Sequence, residues 1–136
     1  PPMKGQESLD ALWEAIKDGF IDTIATDHCP FQSYEKDWGK DDFTKIPNGC
    51  AGVENMYPYM LDAANSGKIT FEKVVELCSA NPAKIFGCTD KGSLSIGKDA
   101  DIVIYDKDKD FTISVSNMHS DCDHTICRNT GYGTIY

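Results

Sequence analysis

The sequence has 136 residues, of which 40% are hydrophobic and 26% charged, so it can build one ordinary domain core and is not typical of a disordered chain. Its 22 acidic and 13 basic residues give a net charge of −9, and such a surface repels phosphate backbones and anionic lipid headgroups. Since there is no secretory leader and no apolar stretch near the ~20 residues of a membrane helix, we expect a soluble, cytoplasmic protein with neither nucleic acid nor a membrane as partner.

The first predicted elements are a helix and a strand. Ser8 to Gly19 is typical of an amphipathic helix, because its apolar residues recur at helical spacing, Ser8 suits an N-cap and Gly19 suits a C-terminal stop. Phe20 to Thr26 is short, apolar and β-branched, which predicts a buried strand. A helix that leads directly into a buried strand with a polar end indicates an α/β unit.

The middle of the chain predicts a long loop and three helices. Residues 32–52 lack periodicity, and a stretch of this length without periodicity is usually a functional loop or a disordered segment. A helix should run from about Pro58 to Asn65, because proline is tolerated only in a first turn. Thr70 should cap the next helix, and Asn81-Pro82 should start a short helix that ends at Gly87.

Beyond residue 90 the apolar spacing changes from helical to alternating. Gly92 to Gly97 and Asp101 to Tyr105 predict two strands joined by a turn, and Phe111 to Val115 predicts a third. We therefore place a domain boundary there, between an α/β unit, residues 1–89, and a β-rich unit, residues 90–136.

The six cysteines predict reduced thiols rather than disulfides or a closed zinc site. No two of them form a C-x-x-C pair, and they are scattered among apolar and small residues, as buried free thiols are. A cluster of His119, Cys122 and His124 could bind zinc, but H-x-x-C-x-H matches no established zinc spacing. Ordinary surface residues are therefore the favoured interpretation there.

Asp27 and His28 follow the predicted strand directly. The carboxyl ends of parallel barrel strands carry catalytic groups, and a carboxylate there can bind a metal ion and take a proton from water. The alternative is that Asp27 caps a turn and His28 is an incidental polar neighbour, and spacing alone does not decide between them. A catalytic metal site also needs at least three protein ligands, which these two residues do not supply.

Two stretches strongly resemble the last barrel strand and following loop of hydantoinases and dihydropyrimidinases. They are Ile24-Ala-Thr-Asp-His-Cys-Pro-Phe31 and Asp42-Phe-Thr-Lys-Ile-Pro-Asn-Gly49. Ser79 to Gly87 and Lys91 to Tyr105 resemble the C-terminal helices and returning β-sandwich strands of amidohydrolases. Pro1-Pro2-Met3-Lys4 resembles a Ser-Pro-Pro segment of the same family without its serine.

The resemblance implies an α/β fold class, with the C-terminal end of a metal-dependent amidohydrolase TIM barrel over residues 1–89 and strands of a small β-sandwich over residues 90–136. A complete barrel takes about 250 residues. The family's H-x-H pair, bridging lysine and two further histidines would lie upstream of Pro1. We therefore expect the C-terminal third of a parent enzyme, inactive by itself.

The resemblance also implies the roles of single residues. Asp27 would bind one of two zinc ions and act as the base on their shared water, and Asn48 would contact the cyclic amide through its main chain. Two ions about 3.5–4 Å apart polarise a carbonyl and lower the pKa of water, so that metal-bound hydroxide opens the ring. His28 is assigned no metal, and Cys29 is assigned to packing. The parent is expected to be a homotetramer acting on a small cyclic amide.

Two other classes stay open. A scaffold or assembly protein on the same fold would be non-catalytic, although it has no need of an acid at Asp27. A free-standing α/β binding module would leave its parallel strand unpaired. The tail from Cys127 to Tyr136 departs from the family's Tyr-Glu-Gly-like strand, which leaves an insertion or a frame slip as alternatives there.

Overall fold

The computed structural model describes residues 4–126 and 131–135, with the backbone alone at 110, 111 and 131–135. Its α-helices are α1 Gln6–Lys17, α2 Ser33–Lys36, α3 Val53–Asn65, α4 Phe71–Val75 and α5 Asn81–Ile85. Three 3₁₀ turns cover Asp37–Gly39, Phe43–Lys45 and Val115–Asn117, and a π-turn covers Glu76–Ala80. The strands β1 Tyr105–Thr112 and β2 Gly131–Ile135 form an antiparallel pair. No helix among these residues is long and apolar enough to cross a membrane.

Helix α1 confirms the amphipathic prediction but begins two residues earlier than expected. Its N-cap is Gly5, which supplies no side-chain hydrogen bond, so Ser8 lies inside the helix. The helix ends at Lys17, and Gly19 follows with φ +80°, the left-handed conformation that glycine adopts most easily.

The predicted strand from Phe20 to Thr26 is wrong for the described residues. This segment forms no ladder, and the Phe20 side chain is 79% exposed. Strand assignment requires hydrogen bonds to a neighbouring chain segment, and the contacts here are a bond from Ile24 N to Leu77 O at 3.4 Å and one isolated bridge between His28 and Cys50. The segment is therefore fixed by helices rather than by a sheet.

Helix α3 begins five residues before the predicted start at Pro58. Its first residue is Val53, so Pro58 lies inside the helix, where proline was not expected. The apolar side of α3 is buried, which stabilises the helix despite the hydrogen bond that proline cannot donate.

The chain from Phe71 to Ile85 is one nearly continuous helical run rather than two separate helices. Thr70 caps it as predicted, with its hydroxyl oxygen accepting from Lys73 N at 3.1 Å. Asn81 is not an N-cap, because the π-turn leads into α5 without a break. Its side-chain amide instead donates to Asp22 O at 2.9 Å, which joins this run to the segment before Asp27.

The core lies between α1, α3 and the run from α4 to α5. Val74 and Leu77 are fully buried there. The other buried members of this cluster are Ile16, Met60, Leu61, Ala63, Ala64 and Ile69. The core therefore joins the helices, while the apolar residues of 92–104 remain outside it.

The β-rich part differs from the prediction. Residues 92–104 form turns and no strand, and Lys91 binds Asp99 at 2.9 Å and Asp101 at 2.5 Å, which closes this segment into a loop. The strands expected at Gly92–Gly97 and Asp101–Tyr105 are thus wrong. The expected strand from Phe111 overlaps the end of β1, which pairs with β2 through an irregularity between Asp106 and Asp110.

Candidate active site

Asp27 stands at the end of the segment that follows α1, with its carboxylate open to solvent. Its φ of 49° lies in the left-handed region, which aspartate tolerates better than most residues. No hydrogen bond or ion pair joins its carboxylate to the residues that the structure describes. Both oxygens are therefore free to bind a cation or to accept a proton, which is the fit that a metal-binding acid requires.

The loop that carries Asn48 returns to the segment that carries Asp27. Cys29 N donates to Cys50 O at 3.1 Å. Gly49 has φ +96°, and a Cβ added there would lie 2.5 Å from the Cys29 Cβ, so only glycine allows this close approach. The two stretches that resemble hydantoinases therefore lie against each other, with Asn48 next to the contact.

Lys36 fixes the shape of this loop. Its ammonium donates to Pro47 O at 2.5 Å and to Gly49 O at 2.7 Å, and it lies 5.0 Å from the centre of the Phe31 ring. Asn48 lies between the two bound carbonyls, is exposed, and makes no hydrogen bond to the described residues. Its main-chain N–H and C=O are thus available to a ligand. The sequence offered no local signal for Lys36.

His28 has a structural role that its position beside Asp27 did not indicate. Its Nδ1 accepts from Gly52 N at 3.0 Å and from Val53 N at 3.2 Å, which satisfies two main-chain donors at the start of α3. His28 therefore holds the main chain at the start of α3 through Nδ1. The expectation that it binds no metal stays a prediction.

Replacing His28 by alanine should loosen the first turn of α3. Loss of a capping acceptor costs about 1 kcal/mol, so the amides of Gly52 and Val53 should exchange about fivefold faster. Hydrogen exchange of the 50–56 region measures this. His28→Asn, which keeps an acceptor, is the control. Unchanged exchange in His28→Ala would show that the cap contributes nothing.

His119 pairs with Glu54 at the start of α3. The Glu54 carboxylate accepts from His119 N at 2.8 Å, from Ser120 N at 3.2 Å and from His119 Nδ1 at 2.7 Å. Burial alone would raise the pKa of Glu54, but the hydrogen bonds from His119 and Ser120 outweigh it and the pKa lies below its ordinary value. A depressed carboxyl pKa stabilises the fold above the ordinary glutamate range, and this stabilisation is lost as the pH falls through the folded-state value.

Cys122 and His124 come together as the sequence allowed, but the third member of the cluster is Asp123 rather than His119. Among the described residues these three are the one group whose metal-ligating atoms converge, all lying within 4.8 Å of one another. Asp27 belongs to no such group within the described chain.

The described cysteines are free thiols, as expected. Burial raises the pKa of the Cys78 thiol, which is typical of an unreactive core cysteine. Cys29 packs against Gly49, which agrees with its assignment to packing.

Comparison with known proteins shows the family. The model of the amidohydrolase family matches residues 2–130. A D-hydantoinase of Rhizobium radiobacter is 38% identical over 128 residues, and a dihydroorotase of Halobacterium salinarum is 39% identical over 125 residues; each match covers 92% of this chain. Among solved structures, the D-hydantoinase (dihydropyrimidinase) from Thermus sp. is 36% identical with a TM-score of 0.92, over 97% of this chain.

The chain belongs to the amidohydrolase family, and its structural neighbours are hydantoinases. It spans 28% of the length of the Rhizobium D-hydantoinase and 29% of the Thermus structure. The amidohydrolase family depends on metal ions.

Proposed function

We propose that the whole protein carrying this chain hydrolyses the ring amide bond of cyclic amides, namely hydantoins or dihydropyrimidines. The observation that carries the proposal is the unpaired Asp27 carboxylate beside the loop of Asn48, whose main-chain groups are also unpaired within the described residues. The names of the relatives, hydantoinase, dihydropyrimidinase and dihydroorotase, agree on enzymes of cyclic amides.

Asp27 is the acid–base group of this proposal. Its carboxylate would be one of the ligands that hold a metal ion, would take a proton from the attacking water and would pass it to the leaving ring nitrogen. Two divalent ions, for which we propose zinc, supply a polarised carbonyl and a water of lowered pKa when bound. The remaining ligands would come from outside the described residues, since Asp27 has no second donor group around it there.

Asn48 orients the substrate. A cyclic diamide presents one N–H donor beside each C=O acceptor, which matches a main-chain N–H and C=O on one residue. Lys36 holds the carbonyls on both sides of Asn48, so the loop is ordered before the ring binds. Recognition of the ring edge therefore needs no charged side chain.

The architecture in which this happens is also a proposal. Residues 1–89 would form the end of a (β/α)8 barrel, with Asp27 at its carboxyl edge, and residues 90–136 would contribute strands to a β-sandwich. The segment of residues 20–26 would then gain its ladder from neighbouring barrel strands. We also propose that the whole protein is a homotetramer and that it is cytoplasmic. The free thiols of the described residues support the cytoplasmic location.

The test is ring opening by the whole protein. Purified protein should convert dihydrouracil or hydantoin to the N-carbamoyl acid, and chromatography measures this product. It should lose this activity with dicarboxylate chelators and regain it with zinc. The 136-residue chain by itself is the negative control, expected to be inactive. A folded, zinc-loaded whole protein that opens none of the rings would favour the alternative, a non-catalytic scaffold on the same fold.

A further inference from the structure

Cys122, Asp123 and His124 bring three different metal-binding side chains to one place. The Cys122 Sγ lies 3.5 Å from the His124 Nδ1, and this Nδ1 lies 2.9 Å from the Asp123 Oδ1. We propose that these residues form a zinc site that does not use Asp27, in the segment that packs against α2.

The distances suit zinc. A tetrahedral zinc ion binds sulfur at about 2.3 Å and imidazole nitrogen at about 2.0–2.1 Å, which puts these two ligand atoms about 3.5 Å apart. The Cys122–His124 separation already has this value. The Asp123 Oδ1 lies 2.9 Å from the His124 Nδ1, a few tenths of an ångström closer than in a tetrahedral site, and all three ligand atoms lie within 4.8 Å of one another. A thiolate in the set selects zinc and its softer congeners over magnesium and calcium.

The backbone under the three ligands is already fixed. Asp123 N donates to the Gln32 Oε1 at 3.0 Å, and the Gln32 amide donates to Asp121 O at 3.1 Å. The Asp123 Oδ1 accepts from Ser33 N at 2.8 Å and from the Ser33 hydroxyl at 2.9 Å. Such outer contacts orient metal-binding carboxylates in proteins.

The site has a closed side and an open side. Cys122 is 8% exposed and its thiol donates to Phe31 O at 3.2 Å, while Asp123 is exposed and His124 half-buried. An ion can therefore enter from the carboxylate side and keep a water as its fourth ligand. On binding, the S–H bond of Cys122 breaks, its proton passes to the solvent and a sulfur–metal bond replaces the contact to Phe31.

The bound ion would connect two segments that are distant in sequence. Cys122 contacts Phe31, and Asp123 binds Ser33. Phe31 and Ser33 follow Asp27 by four and six residues. Zinc would therefore stiffen the start of the loop whose far end carries Asn48. Because binding releases a proton, the affinity should fall as the pH is lowered.

Cobalt(II) tests the site in the whole protein after its metals are removed. A cysteine ligand produces a sulfur-to-cobalt charge-transfer band in the near ultraviolet, which oxygen and nitrogen ligands do not produce. The band should appear on titration, vanish in Cys122→Ser and survive in Cys88→Ser, an exposed cysteine that serves as the matched control. Cys29→Ser should also retain the band, which separates this site from the neighbourhood of Asp27.

His124→Gln provides a second measurement, because it removes a half-exposed ligand and leaves the buried thiol in place. Its cobalt affinity should fall at least tenfold while the circular dichroism spectrum stays unchanged. Saturating cobalt without a charge-transfer band, or a band that persists in Cys122→Ser, would overturn the proposal. A band lost in Cys88→Ser or Cys29→Ser would overturn it equally, since the cysteine ligand would then lie elsewhere.

Discussion

Asp27→Asn should lower the rate of ring opening by the whole protein about 10²–10⁴-fold, the contribution typical of a positioned acid–base group. An amide keeps the size of the side chain but cannot take a proton from water, and it binds a divalent cation more weakly than a carboxylate. Steady-state hydrolysis of dihydrouracil, measured with and without added zinc, checks this. The loss should fall on kcat, because the substrate ring is oriented by Asn48.

Asp22→Asn is the matched control for this prediction. It makes the same change of charge on the same segment and, like Asp27, has an exposed side chain; among the described residues its main-chain carbonyl accepts from Asn81. Its hydrolysis rate should remain within about twofold of the parent rate. Full activity in Asp27→Asn with bound metal would contradict the role of Asp27 as the base, whichever residues bind the metal.

The second large effect concerns the 136-residue chain studied alone. Large apolar side chains outside the core are open to solvent, among them Phe20, Phe86, Leu94 and Ile96. Each contributes about 1.5–3 kcal/mol when it is fully buried, so a chain that leaves them exposed lacks much of its stability. We expect broad, concentration-dependent thermal unfolding and strong binding of the dye ANS to the apolar cleft of about 550 Å³ lined by Phe86, Leu94 and Val103.

Ile96→Lys tests whether exposed apolar side chains, and not a misfolded core, cause the aggregation of the 136-residue chain. Ile96 is fully exposed, so lysine there should reduce aggregation and leave the helical circular dichroism unchanged. Leu77→Ala, in the core, should instead weaken the helical signal, because a buried leucine contributes about 2–5 kcal/mol. A sharp, concentration-independent thermal transition in the unmodified chain would contradict the expected loose fold.

Local patterns predicted the helices well and the strands poorly. The cap at Thr70 and the stop at Gly19 depend on residues within one turn, so spacing and residue type were sufficient. The start of α3 depends on His28, which lies 24 residues upstream, and no local pattern contains that information. Strands depend on hydrogen bonds to a partner segment. Among the described residues, the bridge nearest to the segment from Phe20 to Thr26 is that of His28, two residues beyond its end.

The sequence indicated two stretches as the candidate site, but it did not indicate the residues that hold those stretches in place. Asp27 and Asn48 followed from two stretches that resemble one family, and the contact between Gly49 and Cys29 places those stretches together. Their assigned roles remain proposals. Lys36 orders the Asn48 loop by binding two carbonyls that lie 11 and 13 residues further along the chain, which no local pattern reveals. Asp123 was missed because it lacks the spacing of any known zinc motif.

The π-turn at Glu76–Ala80 fixes the position of Asn81, the residue that binds the segment before Asp27. A π-turn contains one residue more than an α-helical turn, and each helical residue advances the side-chain direction by about 100°. Deleting one residue there would give a more regular helix but would rotate Asn81 away from Asp22 O, the contact that joins the helical run to this segment. The extra residue therefore determines the direction in which Asn81 points from the axis of α5. A relative that lost this residue would also lose the contact to Asp22.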